Sequence, residues 1–247
     1  MTLEINQPTE GGIDYRGGGY LIYGPSGAGK TTLVGTHPSI LSLYTDTNEL
    51  SLHRIRKPWI RIRDWRHFED TRFEIAAALT QGEFPYQAIA IDTISNTEGL
   101  LINGQLGKST ATLNDWPRLI PPWRDLMNAF LKFAKVGEYQ QTISVFLLAR
   151  EQVVIAEADG SKEVYPEAPG RKLPQEVFAW VDEVFHLETV TEFEGNSQVR
   201  KRYLVTSKEG SYNAKDGSGC LELREPFVLG EPTLCQIHEK IVKSLAA

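Results

Sequence analysis

At 247 residues the chain can bury one sizeable α/β core or two small ones. It is 41% hydrophobic and 23% charged, and its longest apolar runs, such as Val145-Phe146-Leu147-Leu148-Ala149, fall far short of the roughly 20 residues a membrane-spanning helix needs. A net charge of −6 excludes a polycation, so any contact with nucleic acid must come from local patches or from assembly.

In chain order, residues 1–17 are polar and glycine-rich and read as an arm, with no export signal. Tyr20-Leu21-Ile22-Tyr23 predicts a strand, Thr31-Thr32-Leu33-Val34 opens a helix, and His37-Pro38 closes it. Ile40 to Tyr44 predicts a second strand. Trp59 to Arg63 alternates with period two, as a strand does, and Phe68 to Leu79 has helical spacing ended by Gln81-Gly82. Ala88-Ile89-Ala90-Ile91-Asp92 has the continuous apolar character of a buried parallel strand. Residues 97–115, rich in Gly, Ser, Thr and Asn, read as a loop. Trp123 to Ala134 predicts a helix and Ile143 to Ala149 another buried strand. Residues 151–172 predict a hairpin or mobile loop, and Leu173 to Val181 a short helix. Val184 to Thr191 and Val199 to Thr206 flank the turn Glu194-Gly195-Asn196. Leu234 to Leu245 is amphipathic, making 233–247 a terminal helix. No linker or repeat interrupts the pattern. The expectation is one domain over 1–247, a mostly parallel central sheet with helices on both faces and a C-terminal antiparallel strand pair. Cys220 and Cys235 read as free thiols in a reducing, cytoplasmic setting.

Gly24-Pro25-Ser26-Gly27-Ala28-Gly29-Lys30-Thr31 matches the phosphate-binding loop G-x-x-x-x-G-K-[ST] in full, between a predicted strand and a predicted helix. Glycines let the backbone wrap an anion with several N–H groups pointing inward, and the helix N-terminus adds a positive dipole end. Lys30 is placed to reach the β- and γ-phosphates. The Thr31 hydroxyl is placed to hold Mg²⁺, with Thr32 completing the loop. Asp92, ending an apolar strand about sixty residues on, fits the carboxylate that holds the Mg²⁺ shell. Neither an Asn-Lys-x-Asp element nor a D-x-x-G switch is present, which favours ATP over GTP, and the H-R-D and D-F-G elements of protein kinases are missing.

The order of these elements resembles the core of RecA-like ATPases, and most closely the small phage-encoded RecA-like proteins of the Sak single-strand-annealing group. The resemblance rests on YGPSGAGKTT at Tyr23 to Thr32, AIDTIS at Ala90 to Ser95, Asp115-Trp116, Val145 to Arg150 and NAKDG at Asn213 to Gly217. It covers residues 19–228. It implies a water-orienting carboxylate after the second strand, where this chain has Asn48 at the expected place and Glu49 one position late. An Asn positions water but takes no proton, so slow hydrolysis is implied. Arg150 stands where relatives carry a polar γ-phosphate sensor. Lys215 stands where some RecA-like rings carry a Lys-x-Arg pair that reaches a neighbouring subunit's ATP; here the segment reads Lys215-Asp216-Gly217, with the lysine kept and the arginine missing, and Lys208 is its rival. The resemblance further implies a homo-oligomer, ring or filament, working on single-stranded DNA, in company with a single-strand-binding protein.

By position, DNA-facing loops would be residues 97–115, with Lys108, and 151–172, with Lys162, Tyr165, Arg171 and Lys172. The second also holds the acids Glu157, Asp159, Glu163 and Glu167. A denser cationic stretch runs from His53 to Arg66, and period two explains it as a strand with one basic face. The leading reading is an ATP-dependent protein that binds and anneals or exchanges single strands. The alternatives are a phage P-loop ATPase with a packaging, remodelling or host-interaction role, and a small-molecule kinase.

Overall fold

The computed structural model describes residues 17–46, 56–155, 160–195, 197–228 and 231–245. The strands are β1 (Gly19–Gly24), β2 (Ile40–Tyr44), β3 (Trp59–Arg61), β4 (Ala88–Asp92), β5 (Ser144–Ile155), β6 (Lys162–Pro166), β7 (Glu183–Glu194), β8 (Ser197–Val205) and β9 (Arg224–Pro226). The helices are α1 (Lys30–Val34), α2 (Trp65–Gln81), α3 (Thr97–Leu106), α4 (Trp116–Leu131), α5 (Leu173–Trp180) and α6 (Thr233–Leu245). The sheet runs β3-β2-β4-β5-β1-β7-β8-β9, parallel from β3 to β7 and antiparallel from there on, with β6 turned back along the extension of β5.

Side chains of successive strand residues point to opposite faces, so each buried strand feeds two cores. Leu21, Tyr23, Ile89, Ile91, Val145 and Leu147 pack under α2, α3, α4 and α5. Tyr20, Ile22, Ala88, Ala90, Phe146 and Leu148 pack under α1 and α6. A strand covered on both faces has no solvent side to mark with polar residues, which is why these segments read as continuous apolar runs. The fold is α/β, with a mostly parallel sheet, helices on both faces and an antiparallel pair at the C-terminal side.

Several boundaries correct the sequence expectation. Residues 97–115 are not a loop: Thr97–Leu106 is helical, followed by a short 3₁₀ turn at Leu113–Asp115. Gly104 faces α2 there, and a Cβ on it would stand 2.5 Å from the Cβ of Trp65. That glycine serves close helix packing, a use composition cannot distinguish from a turn. The hydroxyl of Thr97 accepts from Trp123 Nε1 at 2.7 Å, tying α3 to α4 deep in the core. Helix α4 starts at Trp116, seven residues before the expected Trp123, and carries Pro117 in its first turn and Pro121 and Pro122 inside. Strand β3 stops at Arg61, because Asp64 caps α2 by accepting from His67 N at 2.8 Å. Residues 151–172 are largely the β5–β6 hairpin, one of the two forms expected of them. No helix among the described residues is long and apolar enough to cross a membrane. Cys220 and Cys235 are free.

Candidate active site

The phosphate loop leaves β1 between β5 and β7. At Gly24 a Cβ would lie 2.5 Å from the Leu187 carbonyl oxygen, so the loop can start only if that position has no side chain. Gly29, at φ 109°, takes the left-handed turn into α1. Helix α1 is five residues long, so the loop's own N–H groups and the first turn, rather than a long helix axis, set the local field.

Lys30 is buried, and its Nζ donates to the carbonyls of Gly24 at 2.8 Å and Pro25 at 2.9 Å. Burial pushes its ammonium down to about 8 against the opposing pull of Asp92. The Thr31 hydroxyl donates to Asp92 Oδ2 at 2.6 Å. Burial drives the Asp92 carboxyl up to about 6, and the bond from Thr31 and the charge of Lys30 hold it from rising further. Beside this pair, the Thr45 hydroxyl donates to the Thr93 carbonyl at 2.7 Å and accepts from Thr93 N at 3.0 Å, latching the end of β2 to that of β4.

These residues line a cleft of about 400 Å³, together with Tyr44, Asp46, Arg150 and Arg202. Arg150, at the point where β5 passes from core to hairpin, donates from Nε to Glu167 Oε2 at 2.6 Å and from Nη1 to Asn96 Oδ1 at 2.7 Å. Its neighbour Glu151 turns away to His186 Nε2 at 2.8 Å. Arg202 is the residue that the sequence did not single out. It lies on β8, its Nε donates to the Ala28 carbonyl at 3.0 Å, and it reaches the loop from 174 positions away in the chain. An arginine inside the basic run Arg200-Lys201-Arg202 carries no local signal of that role.

The remaining candidates lie elsewhere. Lys215 pairs by backbone with Val184, and its amine donates to the Val181 carbonyl, outside the cleft of its own chain. Lys208 is exposed and pairs with Glu163 on the β5–β6 hairpin at 3.0 Å. Asn48 and Glu49 lie outside the described residues. The turn containing Asn213–Gly217 is architectural in this chain. Asn213 N donates to the Tyr23 hydroxyl at 3.1 Å, Glu183 accepts from Gly217 N and Ser218 N, and Asp216 accepts from Ser218, Gly219 and Leu221. The motif fixes the strand that carries the phosphate loop.

A cleft of about 440 Å³ opens at the opposite end of the sheet, lined by His37, Ser144, Phe146, Cys235 and His238 among others. Burial, with some repulsion from His238, depresses His37 to about 4, and burial lowers His238 too. Both imidazoles are therefore neutral near pH 7, and among the described residues no Lys or Arg lines this cleft. Larger volume does not make it the better anion site.

The site so built is a full phosphate loop with its lysine, a hydroxyl–carboxylate pair and two arginines around one cleft. A family described as AAA domain (AAA_24) matches residues 17–218. The chain belongs to this AAA domain family. The match spans the loop, Asp92, Arg150, Arg202 and the Asn213–Gly217 turn, and ends before α6. No curated protein sequence matches the chain. Among solved structures it is similar to a prototypical ATPase from the type III secretion system of pathogenic bacteria, at 12% identity and TM-score 0.49, over 70% of this chain and 52% of that one. The chain thus spans about half that protein's length. It is similar to the flagellar accessory protein FlaH of Methanocaldococcus jannaschii at 12% identity and TM-score 0.40, covering 89% and 90% of the two chains. It is similar also to the RadB recombinase at 12% identity and TM-score 0.44, covering 79% and 90%. As a member of the AAA domain family with an intact loop, the chain is a nucleotide-binding P-loop ATPase domain.

Proposed function

We propose that the protein binds ATP with Mg²⁺ at the phosphate loop, hydrolyses it slowly, and uses the cycle as an oligomer to control a hold on single-stranded DNA in annealing or strand exchange. The observation that carries the catalytic part is the convergence of Lys30, Thr31, Asp92, Arg150 and Arg202 on one cleft. Thr31 and Asp92 fit a hard divalent cation: a hydroxyl oxygen and a buried carboxylate oxygen stand 2.6 Å apart, and a cation would relieve the cost of the buried charge. When bound, Mg²⁺ supplies charge neutralisation at the β- and γ-phosphates. Loop backbone from Gly24 to Thr32 cradles the phosphates, Lys30 exchanges its carbonyl partners for phosphate oxygens, and Arg150 meets the terminal phosphate. Water orientation falls, on this proposal, to Asn48 or Glu49.

Support for the DNA part lies in the link between cleft and hairpin. Arg150 holds Glu167, just past β6. Ser95, just past β4, donates from its hydroxyl to the Glu167 carbonyl and accepts from Arg150 N. A phosphate that drew Arg150 away from Glu167 would loosen an arm that exposes Val153, Ile155 and Lys162. Arg56, Arg61, Arg63 and Arg66 are also exposed, before, along and after β3. A lysine from a neighbouring subunit would complete the site, and Lys208 is the more exposed of the two candidates.

The test is ATPase rate against protein concentration, with and without an oligonucleotide, at low and moderate salt. Specific activity should rise with concentration and with single-stranded DNA, and salt should oppose the DNA effect. A flat specific activity indifferent to DNA would remove the recombination role and leave an ATPase that remodels a protein partner. Phosphate transfer to a nucleoside or nucleotide would instead establish a kinase.

A further inference from the structure

Strands β5 and β7 are not neighbours in the sheet. Strand β1 lies between them, pairing Gly24 with Arg150 on one side and Tyr23 with His186 on the other. Past Gly24 the chain leaves the sheet as the phosphate loop, so Glu151 is the first β5 residue without a β1 partner. Its carboxylate reaches across to β7 and bonds His186 Nε2 at 2.8 Å. Side chains thus join the two strands at the level where the backbone ladder between them stops.

The imidazole is the fixed member of this pair. It is 1% exposed, stacked on Tyr212 with ring centres 4.1 Å apart, and met edge-on by Tyr23 at 4.9 Å. Its Nδ1 is buried and has no hydrogen-bond partner among the described residues. A proton on Nδ1 would have no acceptor there, so the ring carries its proton on Nε2 and donates it to Glu151. Burial lowers the imidazole from its ordinary value against the pull of Glu151 and Glu188, Lys30 adds to the lowering, and the ring stays neutral. The Glu151 side chain is 31% exposed and is the member being placed.

Glu151 follows Arg150 directly. Successive strand residues point to opposite faces, so the two share one stretch of backbone but not one set of partners. Arg150 is held by Glu167 and Asn96, bonds it would give up on turning to a phosphate. Neither Glu151 nor His186 lines the phosphate cleft, so their bond does not compete with a ligand. We infer that Glu151 and His186 are positioning residues for ATP turnover: their bond across the end of β1 holds the backbone of Arg150 at a set distance from the phosphate loop while its side chain exchanges partners. The inference rests on the reading that Arg150 meets the terminal phosphate.

The test is steady-state ATPase kinetics of the full chain, with a melting curve for each variant. His186→Phe keeps a ring against Tyr212 and Tyr23 and removes the donor. It should lower kcat roughly three- to fivefold and leave KM within about twofold, at a melting temperature close to the parent's. Glu151→Ala should do the same to kcat. Glu151→Gln keeps an acceptor for the Nε2 proton without the charge, and should hold kcat within about twofold of the parent. An equal loss in the Gln and Ala variants would assign the effect to the carboxylate's charge, which Lys30 feels, and would overturn the positioning role. Parent kcat in His186→Phe, or a loss that follows the melting temperature, overturns it too. In an Arg150→Ala background, Glu151→Ala should lower kcat by less than about twofold more, since an absent guanidinium cannot be misplaced. Arg150→Ala separates the two levels. If it leaves kcat at the parent value, the reading of Arg150 falls and this inference with it. If it lowers kcat and Glu151→Ala then multiplies that loss in full, the reading of Arg150 stands and the inference alone falls.

Discussion

The two ends of the central sheet carry clefts of similar size and opposite character. At the C-terminal ends of the strands, about 400 Å³ is lined by Lys30, Arg150 and Arg202 set against Asp46 and Asp92. At the N-terminal ends, about 440 Å³ is lined by neutral imidazoles, hydroxyls, Phe146 and the single carboxylate of Glu239. Volume is almost equal, so charge and the backbone around it decide which end does chemistry. The first end concentrates groups that cost free energy in the free protein: a desolvated lysine, a buried carboxylate and a carbonyl-lined loop. The second contains groups at rest, with the Tyr20 hydroxyl bonded to His238 Nδ1 at 2.9 Å.

The largest blow to this contrast would come from Lys30→Ala. Lys30 makes two charge-assisted bonds in the free protein and would trade them for phosphate oxygens, so its loss should lower ATP affinity about a hundredfold or more. A melting curve at pH 7 should show a modest loss, because the change leaves the buried Asp92 carboxyl, raised to about 6 and so ionised at that pH, without its neighbouring cation. Next in size is Asp92→Asn. Turnover should fall at least tenfold while ATP affinity moves less, because the amide keeps the shape but not the charge that holds Mg²⁺. The same change should raise the melting temperature of the nucleotide-free protein at pH 7 and above, since it removes a carboxylate that pays to ionise in the core. A more labile Asp92→Asn protein would argue that its carboxylate is paired more strongly than its geometry indicates.

Smaller effects sharpen the comparison. Arg150→Ala should reduce turnover several-fold with little change in stability, because its ion pair with Glu167 is more than one-third exposed on both sides. Kinetics at saturating ATP would separate that from a binding defect. Away from both clefts, Glu183 gives a pH signature. Burial raises its carboxyl to about 7 from an ordinary value of 4.5. The folded state then holds a proton the unfolded chain has released, so the group's contribution is most favourable below pH 4.5 and is lost as pH rises toward 7. Melting temperature measured from pH 5 to 8 should fall, and Glu183→Gln should flatten that slope. The smallest effect belongs to the opposite cleft. His238→Phe removes one hydrogen bond, costs about 1 kcal/mol of stability, and should leave ATP affinity within twofold. A larger loss of affinity would show the two ends to be coupled through the sheet.

How much was legible depends on how local each cause is. The loop from Gly24 to Thr32 and the strand ending at Asp92 were readable because contiguous residues make both the motif and its backbone geometry. The α3 segment was not, since Gly104 is explained only by Trp65 on another helix. The Pro-rich start of α4 was also missed, because its burial against neighbouring helices outweighs what the prolines cost. Arg202 was invisible for the same reason on a longer scale, since its partner Ala28 lies on the far side of the chain's own sequence. The Asn213–Gly217 turn was recognised as a signature, but its work as a clamp on Tyr23 and Glu183 appeared only in three dimensions.

By itself the sequence determined the sheet's buried strands, the phosphate loop, the carboxylate opposite it and the placing of helices between strands. Those follow from periodicity and short-range backbone preference, which act over a few residues. Tertiary structure decided that α3 is a helix, that Arg150 pairs with Glu167, and that Arg202 reaches the loop from β8. Those depend on which strands become neighbours, and neighbour choice is fixed by the burial of whole faces rather than by any one segment.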